Sequence, residues 1–513
     1  MIELDRRVAG RPIGRTVLLT GVSMATIAVL VRGPRASYRS SFLLLLGASA
    51  GLAILFALER RQRRLDRRLV IGATGALLAI AVIVPPAQAS DLWLYASYGR
   101  MVSEHRVSPY ENSPSRFADD PLYSRVPEAW RDTHSPYGPA FVAVAAAGTE
   151  VAGRSPLAVR LFFQMLAAVA VAIALVLIDR RTKDSLAWLL LGVNPLVVLH
   201  VVNGAHNDAL AGLALLIGVL LAMAQRPALA GLVLAIAALV KILLLLPLAV
   251  VLVWLWKSRG LRAALVAGYV ATGVVLGGYA LAGGTAAFKP LEESRQGVSR
   301  ASIWNGPRRA VTTELIEDGM RGRDAGVVAR ERVVLWANLS VAGLALALIA
   351  PRLRAQSPAL LAGGAVLAYL LAGAYVMPWY TVWALPVLAL TARSWVTGLG
   401  LAQGGVLLLA YVPDPSRLGP IDPLATISPW QSLRYDIFAV WVPLAEVGLI
   451  VVVLGLSARS LWRTTASRRG YVAMSATTPK WSLANVPVSE RSQATRADST
   501  LPAPPSRRQP TRM

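Results

Sequence analysis

Polar side chains interrupt this 513-residue, largely apolar chain at four places, and each interruption holds residues able to do chemistry. The first is the stretch 89–139. Asp91 stands at the end of an apolar run, where a carboxylate is costly unless it meets water, a partner or a substrate. Trp93, Tyr95 and Tyr98 follow it, then Pro109-Tyr110, then Trp130-Arg131-Asp132-Thr133-His134-Ser135-Pro136-Tyr137-Gly138-Pro139. A carboxylate at that depth could take a proton from a substrate hydroxyl. It could also simply cap a helix that begins at Leu92. The aromatic residues suit a membrane interface and equally the faces of a sugar.

The second interruption is Asn203-Gly204-Ala205-His206-Asn207-Asp208, downstream of Asn194-Pro195, which breaks a helix in mid-span. His206 and Asp208 could contact a metal or a substrate, but the spacing has no HExxH character. Asn207 or Asp208 would also serve as an N-cap for a helix from Ala209. The third is Lys241, with Arg160 in another apolar segment. A cation there costs about 2.5–3.5 kcal/mol on insertion scales, unless it holds an anion such as phosphate or snorkels to an interface. The fourth is Tyr375-Val376-Met377-Pro378-Trp379-Tyr380, leading to Trp383, which taken alone reads as an interfacial aromatic belt.

The elements that carry these residues follow from composition. The chain is 55% hydrophobic and 16% charged, with apolar runs long enough to cross a bilayer core of about 30 Å. Backbone groups in lipid must bond internally, and these runs are apolar all round, so they read as helices rather than barrel strands. We expect an all-α polytopic membrane protein with about 13–14 transmembrane helices. The spans fall near 16–31, 41–58, 69–88, 157–178, 185–203, 208–224, 228–240, 242–256, 263–283, 333–350, 358–376, 378–391, 395–412 and 436–458. The segment 139–153, interrupted by Glu150, should lie along the membrane or re-enter. The run into 16–31 is preceded by Arg6, Arg7, Arg11 and Arg15 and reads as an uncleaved first helix rather than a signal peptide.

Charge orients this path. With the N-terminus in the cytoplasm, six arginines between Arg60 and Arg68 fall inside. So do Arg180, Arg181 and Lys183, then Lys257, Arg259 and Arg262, then Arg393, then a basic tail. The outer side receives 89–156, 203–207, 284–332, 375–380 and 413–435, and hence the polar clusters. The net charge of +24 is better explained by orientation and anionic lipid than by nucleic acid. Absence of cysteine removes disulfides and thiol chemistry. The domain reading is a transmembrane domain over 1–463 and a basic, disordered cytoplasmic tail over 464–513, rich in Ser, Thr, Pro, Ala and Arg. No internal repeat is visible.

Together the pieces resemble the actinobacterial polyprenol-phosphate-mannose-dependent α-1,6-mannosyltransferase family of the glycosyltransferase-C superfamily. The resemblance rests on Ser90-Asp91-Leu92-Trp93-Leu94-Tyr95, Gly99-Arg100, Ser108-Pro109-Tyr110, Trp130 to Pro139, Asn194-Pro195-Leu196, His206-Asn207-Asp208, and Pro378-Trp379-Tyr380 with Trp383-Ala384-Leu385-Pro386. It implies a glycosyltransferase-C-like helical bundle with juxtamembrane helices in the first large outer loop and a plasma-membrane enzyme working on the outer face. The donor implied is polyprenyl-phosphate-mannose and the acceptor a glycan or lipoglycan of the cell wall. Asp91 matches the acidic catalytic residue. Tyr95, Arg131, Asp132, His134, Tyr137, Arg160, His206, Asn207, Asp208, Lys241, Trp379 and Tyr380 would bind substrates, with Arg160 and Lys241 as phosphate contacts. No cofactor is implied, and metal dependence stays open because branches of the superfamily differ. Outer loop 284–332 and the basic tail match nothing in the family. Two alternatives remain: another branch of the superfamily with a different lipid-phosphate sugar or linkage, and a lipid-linked sugar transporter or flippase. Transporters usually show paired repeats with sites at the midplane, which this chain lacks.

Overall fold

A computed structural model of the chain describes residues 12–33, 37–86, 91–290, 297–350, 357–413 and 429–477. Arg6, Arg7, Arg11, Ser90 and the expected tail beyond 477 lie outside the described residues. Two units are distinguished, Met1–Ala458 and Arg459–Met513. In the second, helix continues to Thr477, further along the chain than the composition of the tail suggests. Everything below concerns the first unit.

Among the described residues there is no strand, and each of the fourteen expected spans contains helix, though 69–88, 358–376 and 395–412 end in irregular backbone. Seven helices are long and apolar enough to cross a membrane by themselves. They are Ile13–Arg32, Tyr38–Arg61, Pro156–Thr182, Ile242–Arg259, Leu261–Leu281, Gly322–Ile349 and Ser432–Arg459. Ser185–Gly192 and Val197–Asn203 pass the same test only together and meet at 61°, as a broken span or a re-entrant loop does. The others are shorter, because polar or irregular residues cut them. Asp208–Met223 and Pro227–Val240 are separated by the three residues 224–226, and Pro358–Ala372 ends at Gly373. The segment 139–153 is the short apolar helix Pro139–Ala152.

Local chemistry sets the boundaries. Ser155-Pro156 and Ser357-Pro358 each place an N-capping hydroxyl before a proline at the first helical position, where a missing N–H costs nothing. Pro195 prevents the helix before it from continuing. Asn194 replaces the lost pairing, donating from Nδ2 to the Leu190 carbonyl and accepting the Leu196 N–H at Oδ1, both at 3.0 Å.

The polar residues separate to two ends of the unit. At one end Arg15 pairs with Glu59, both buried, and Glu59 also accepts the backbone N–H groups of Arg64 and Leu65. Nearby pairs are Arg67–Asp179, Arg63–Asp184 at 2.7 Å and Arg393–Asp184 at 3.8 Å. Arg393 and Arg60 each donate to the other's backbone carbonyl. These are the residues that charge patterning assigned to one side of the membrane. Their ion pairs tie four otherwise apolar parts of the chain together.

At the other end, Gln164 and Asn203 stitch the exit of the helix Arg67–Ile83. Both side-chain amides donate to the carbonyls of Ala81 and Val84, at 2.9 to 3.1 Å. This fixes the chain shortly before Asp91. Two close backbone approaches complete the frame. A Cβ on Gly138 would lie 2.0 Å from the Leu239 carbonyl oxygen, and one on Gly212 would lie 2.2 Å from that of Val382.

Replacing Gly138 with alanine should therefore cost about 1–3 kcal/mol through overpacking, read as a lower thermal midpoint of the purified protein in detergent. Gly72→Ala, where nothing lies within 4 Å of the new methyl group, should leave the midpoint unchanged or raise it. Equal behaviour of the two variants would contradict the close approach at Gly138.

Candidate functional site

The helix Asp91–Ser103 presents Asp91 in its first turn, where the helix dipole favours a negative charge. Tyr95, one turn along, is fully buried between Tyr137 and Phe141, ring centroids 4.9 and 4.7 Å away in edge-on contacts. Its hydroxyl donates to Asn207 Oδ1 at 3.4 Å and lies 3.5 Å from His206 Nδ1. The first and second polar interruptions therefore meet.

His206 is the hub. Its Nδ1 lies 3.6 Å from Asp91 Oδ2 and 3.9 Å from Asp208 Oδ2. Its ring stacks on Trp379 with centroids 3.8 Å apart and planes 13° from parallel. The loop delivering it is tight: Ala205 has a left-handed φ of 57°, a conformation that costs a non-glycine residue about 1–3 kcal/mol. Asn207 occupies the N-cap position of the helix Asp208–Met223, yet its side chain makes no capping bond. It is turned to Tyr95 instead.

Lys241 joins from a break in the chain. The helix Pro227–Val240 stops there, Lys241 is extended, and a single turn, Ile242–Leu244, leads to the next helix. Its ammonium lies 3.4 Å from Asp208 Oδ1, which also accepts the indole N–H of Trp383 at 2.8 Å. The ammonium sits 5.1 Å from the Tyr137 ring centroid and 5.4 Å from that of Tyr380, within cation–π range. Tyr380 in turn stacks on Trp383 at 4.3 Å. Asp208 Oδ2 and Asn207 Nδ2 are buried and have no hydrogen-bond partner in the protein.

Exposure differs sharply within this cluster. The side chain of Asp208 is 0% exposed and that of Lys241 14%, whereas that of Asp91 is 22% exposed. Tyr137 donates its hydroxyl toward Asp91 Oδ2 at 3.5 Å. Asp91 is thus an oriented carboxylate at the open edge of a buried ion pair and an aromatic wall. That arrangement suits proton removal from a hydroxyl compound lying against the rings.

Nine of the thirteen expected site residues come together: Asp91, Tyr95, Tyr137, His206, Asn207, Asp208, Lys241, Trp379 and Tyr380. The other four have their contacts elsewhere. Arg131 donates to the Val126 carbonyl and lies over the Tyr123 ring. Asp132 is exposed. His134 contributes its backbone carbonyl to the Tyr98 hydroxyl. Arg160 donates to the Ile83 carbonyl. Trp383, which holds Asp208, belongs with the site, and its signal was its position one helical turn beyond Trp379. Among the described residues no group of three or more His, Asp or Glu is arranged to hold a metal ion.

The model of the alpha-(1->6)-mannopyranosyltransferase family, N-terminal domain, matches residues 9–258. Over that span the chain is similar to this family. It is 31% identical to alpha-(1->6)-mannopyranosyltransferase B of Corynebacterium glutamicum over 152 residues, 28% of this chain and 25% of the relative. It is 27% identical to alpha-(1->6)-mannopyranosyltransferase A of Mycobacterium tuberculosis over 201 residues, 36% of this chain and 37% of the relative. The chain thus spans between a quarter and just over a third of the length of these two relatives. No solved structure matches. The matched family region contains Asp91, His206, Asp208 and Lys241. Trp379, Tyr380 and Trp383 lie beyond it and complete the cluster.

The loop that carries Tyr137 has its own anchor. Arg100, buried on the Asp91 helix, donates from Nε to Asp120 at 2.8 and 3.1 Å, and His105 Nε2 lies 3.0 Å from the same carboxylate. Burial alone would raise the Asp120 carboxyl, but the Leu122 N–H, Arg100 and His105 outweigh it and hold it below its ordinary value. The folded state then binds this proton less tightly than the unfolded chain. Its contribution to stability is complete above the ordinary Asp value and is lost as pH falls through the carboxylate range. The thermal midpoint of Asp120→Asn should therefore lie below wild type at pH 7, with the gap closing below about pH 4. A gap independent of pH would remove Asp120 from this role.

Proposed function

We propose that the protein transfers a mannosyl residue from polyprenyl-phosphate-mannose to a glycan or lipoglycan acceptor on the outer face of the plasma membrane. Mannosyl transfer is supported by the family match over residues 9–258 and by relatives named as alpha-(1->6)-mannopyranosyltransferases. The observation that carries the mechanism is the pairing of an accessible, oriented Asp91 with a buried Asp208–Lys241 pair a few ångströms away. The gathering of basic residues at the opposite end of the unit supports cytoplasmic termini.

In this reading Asp91 takes the proton of the acceptor hydroxyl. The acceptor oxygen forms the new bond to the anomeric carbon, and the anomeric carbon–oxygen bond to phosphate breaks, its electron pair leaving with polyprenyl phosphate. A phosphate leaves readily, so one carboxylate suffices, unlike the paired carboxylates of glycoside hydrolysis. His206 and Tyr137 hold Asp91 in place. Lys241 meets the charge that develops on the departing phosphate, with Asp208 and the Tyr137 and Tyr380 rings fixing its position. Arg160, engaged at the Ile83 carbonyl, stands outside this cluster and has no part in the step. Trp379 and Tyr380 supply the wall against which a sugar lies.

Asp91→Asn, which keeps the side-chain shape, should lower kcat by about 10²–10⁴-fold, the usual worth of a general base, with the thermal midpoint retained. The assay is transfer from polyprenyl-phosphate-mannose to a short mannose acceptor, with linkage analysis of the product. Wild-type turnover by a folded Asp91→Asn protein would remove Asp91 from the role. Movement of lipid-linked sugar across vesicles without a new glycosidic bond would favour a transporter instead.

A further inference from the structure

The loop from 297 to 304 has no matching motif, yet it is bound to one particular stretch of backbone. The helix Pro358–Ala372 ends beside it, and helix ends leave carbonyls without partners. Here the partners come from the loop. The Trp304 indole N–H donates to the Ala372 carbonyl at 2.7 Å, the Ser302 hydroxyl to that of Gly373 at 3.1 Å, and the Ser299 N–H to that of Ala374 at 3.0 Å. The Tyr369 hydroxyl takes the Tyr375 carbonyl at 2.7 Å, and Ser299 Oγ accepts the Val376 N–H at 3.2 Å. The loop braces itself: Ser302 Oγ also accepts the Trp304 N–H, and the Ser302 N–H bonds the Ser299 carbonyl.

Every carbonyl from 372 to 375 is thereby held, although the chain between Ala372 and Pro378 is neither helix nor strand. Met377 follows in extended conformation, and the turn Pro378–Tyr380 comes next. That turn carries Trp379 against His206 and Tyr380 beside Lys241. An irregular segment has no helical ladder to fix it, so external donors decide where the next turn points. Ser299 and Ser302 are buried, where an unmade bond would leave a carbonyl without water.

We propose that Ser299, Ser302 and Trp304 are positioning residues that set Trp379 and Tyr380 against the site. The activity part rests on the transferase reading above; the structural part does not. The test uses the full-length protein in detergent, with Ser302→Ala, Trp304→Phe and the pair combined. Phenylalanine keeps an aromatic ring and removes only the indole donor. Amide hydrogen exchange over 373–380 should rise about tenfold in the double variant, with the helix Asp208–Met223 unchanged. The ratio kcat/KM should fall by a similar factor, and the fall should not multiply with that of Trp379→Ala, because both changes act through one ring. Unchanged exchange over 373–380 would overturn the proposal, and so would losses that multiply with Trp379→Ala. A wild-type protein without transferase activity would overturn the functional reading, leaving the exchange result to decide the clamp. If Trp304→Phe does not fold, Ser302→Ala alone carries the same comparison.

Discussion

The site depends on one ion pair, Lys241 with Asp208. Neither charge could remain where it is alone. Lys241 sits in the middle of an apolar run, and Asp208 is fully buried at the start of an apolar helix. Removing a charge from water costs several kcal/mol, so each is tolerated because the other is present and because further partners surround both. Those partners are the Trp383 indole and the rings of Tyr137 and Tyr380. Holding the pair therefore requires the helix Asp208–Met223, the break after Val240, the loop at Tyr137 and the segment 378–383 to meet at one point. The geometry of the candidate site is a consequence of that requirement.

The two polar ends are built by different means. One is a network of arginines on carboxylates, with Glu59 also accepting two backbone donors. It is rich in paired charge and offers no aromatic wall. The other contains few charges, many rings and polar atoms still without protein partners. Paired charges without an aromatic wall tie helices together; a buried ion pair among rings beside an accessible carboxylate is arranged to receive something. This division supports catalysis at one end and anchorage at the other.

Much of the frame was legible in the residues. Each of the fourteen apolar segments contains helix among the described residues, the break at Asn194-Pro195 is present, and Pro139–Ala152 is a short helix. Hydropathy overstated the length of several spans because it averages across short interruptions. The five residues 373–377 and the single residue Lys241 end helices without much changing the mean. Motif chemistry also pointed to Asp91, His206, Asp208, Lys241 and Trp379. It did not separate these from Arg131, Asp132, His134 and Arg160, whose types are as suitable but whose contacts lie elsewhere.

The sequence by itself determined which residues were too costly to bury unpaired, and hence that the polar interruptions must be used. Burial cost depends on residue type and on the apolar length around it, both of which are local. Only the tertiary structure decided which interruption pairs with which. Lys241 finds Asp208 33 positions away, Trp379 finds His206, and Trp304 finds the end of the helix at Ala372. Those pairings come from helix crossings and from close backbone approaches at Gly138 and Gly212, which no local periodicity encodes. The same reason hid the loop from 297 to 304, since its serines and tryptophan acquire meaning only from the carbonyls they meet.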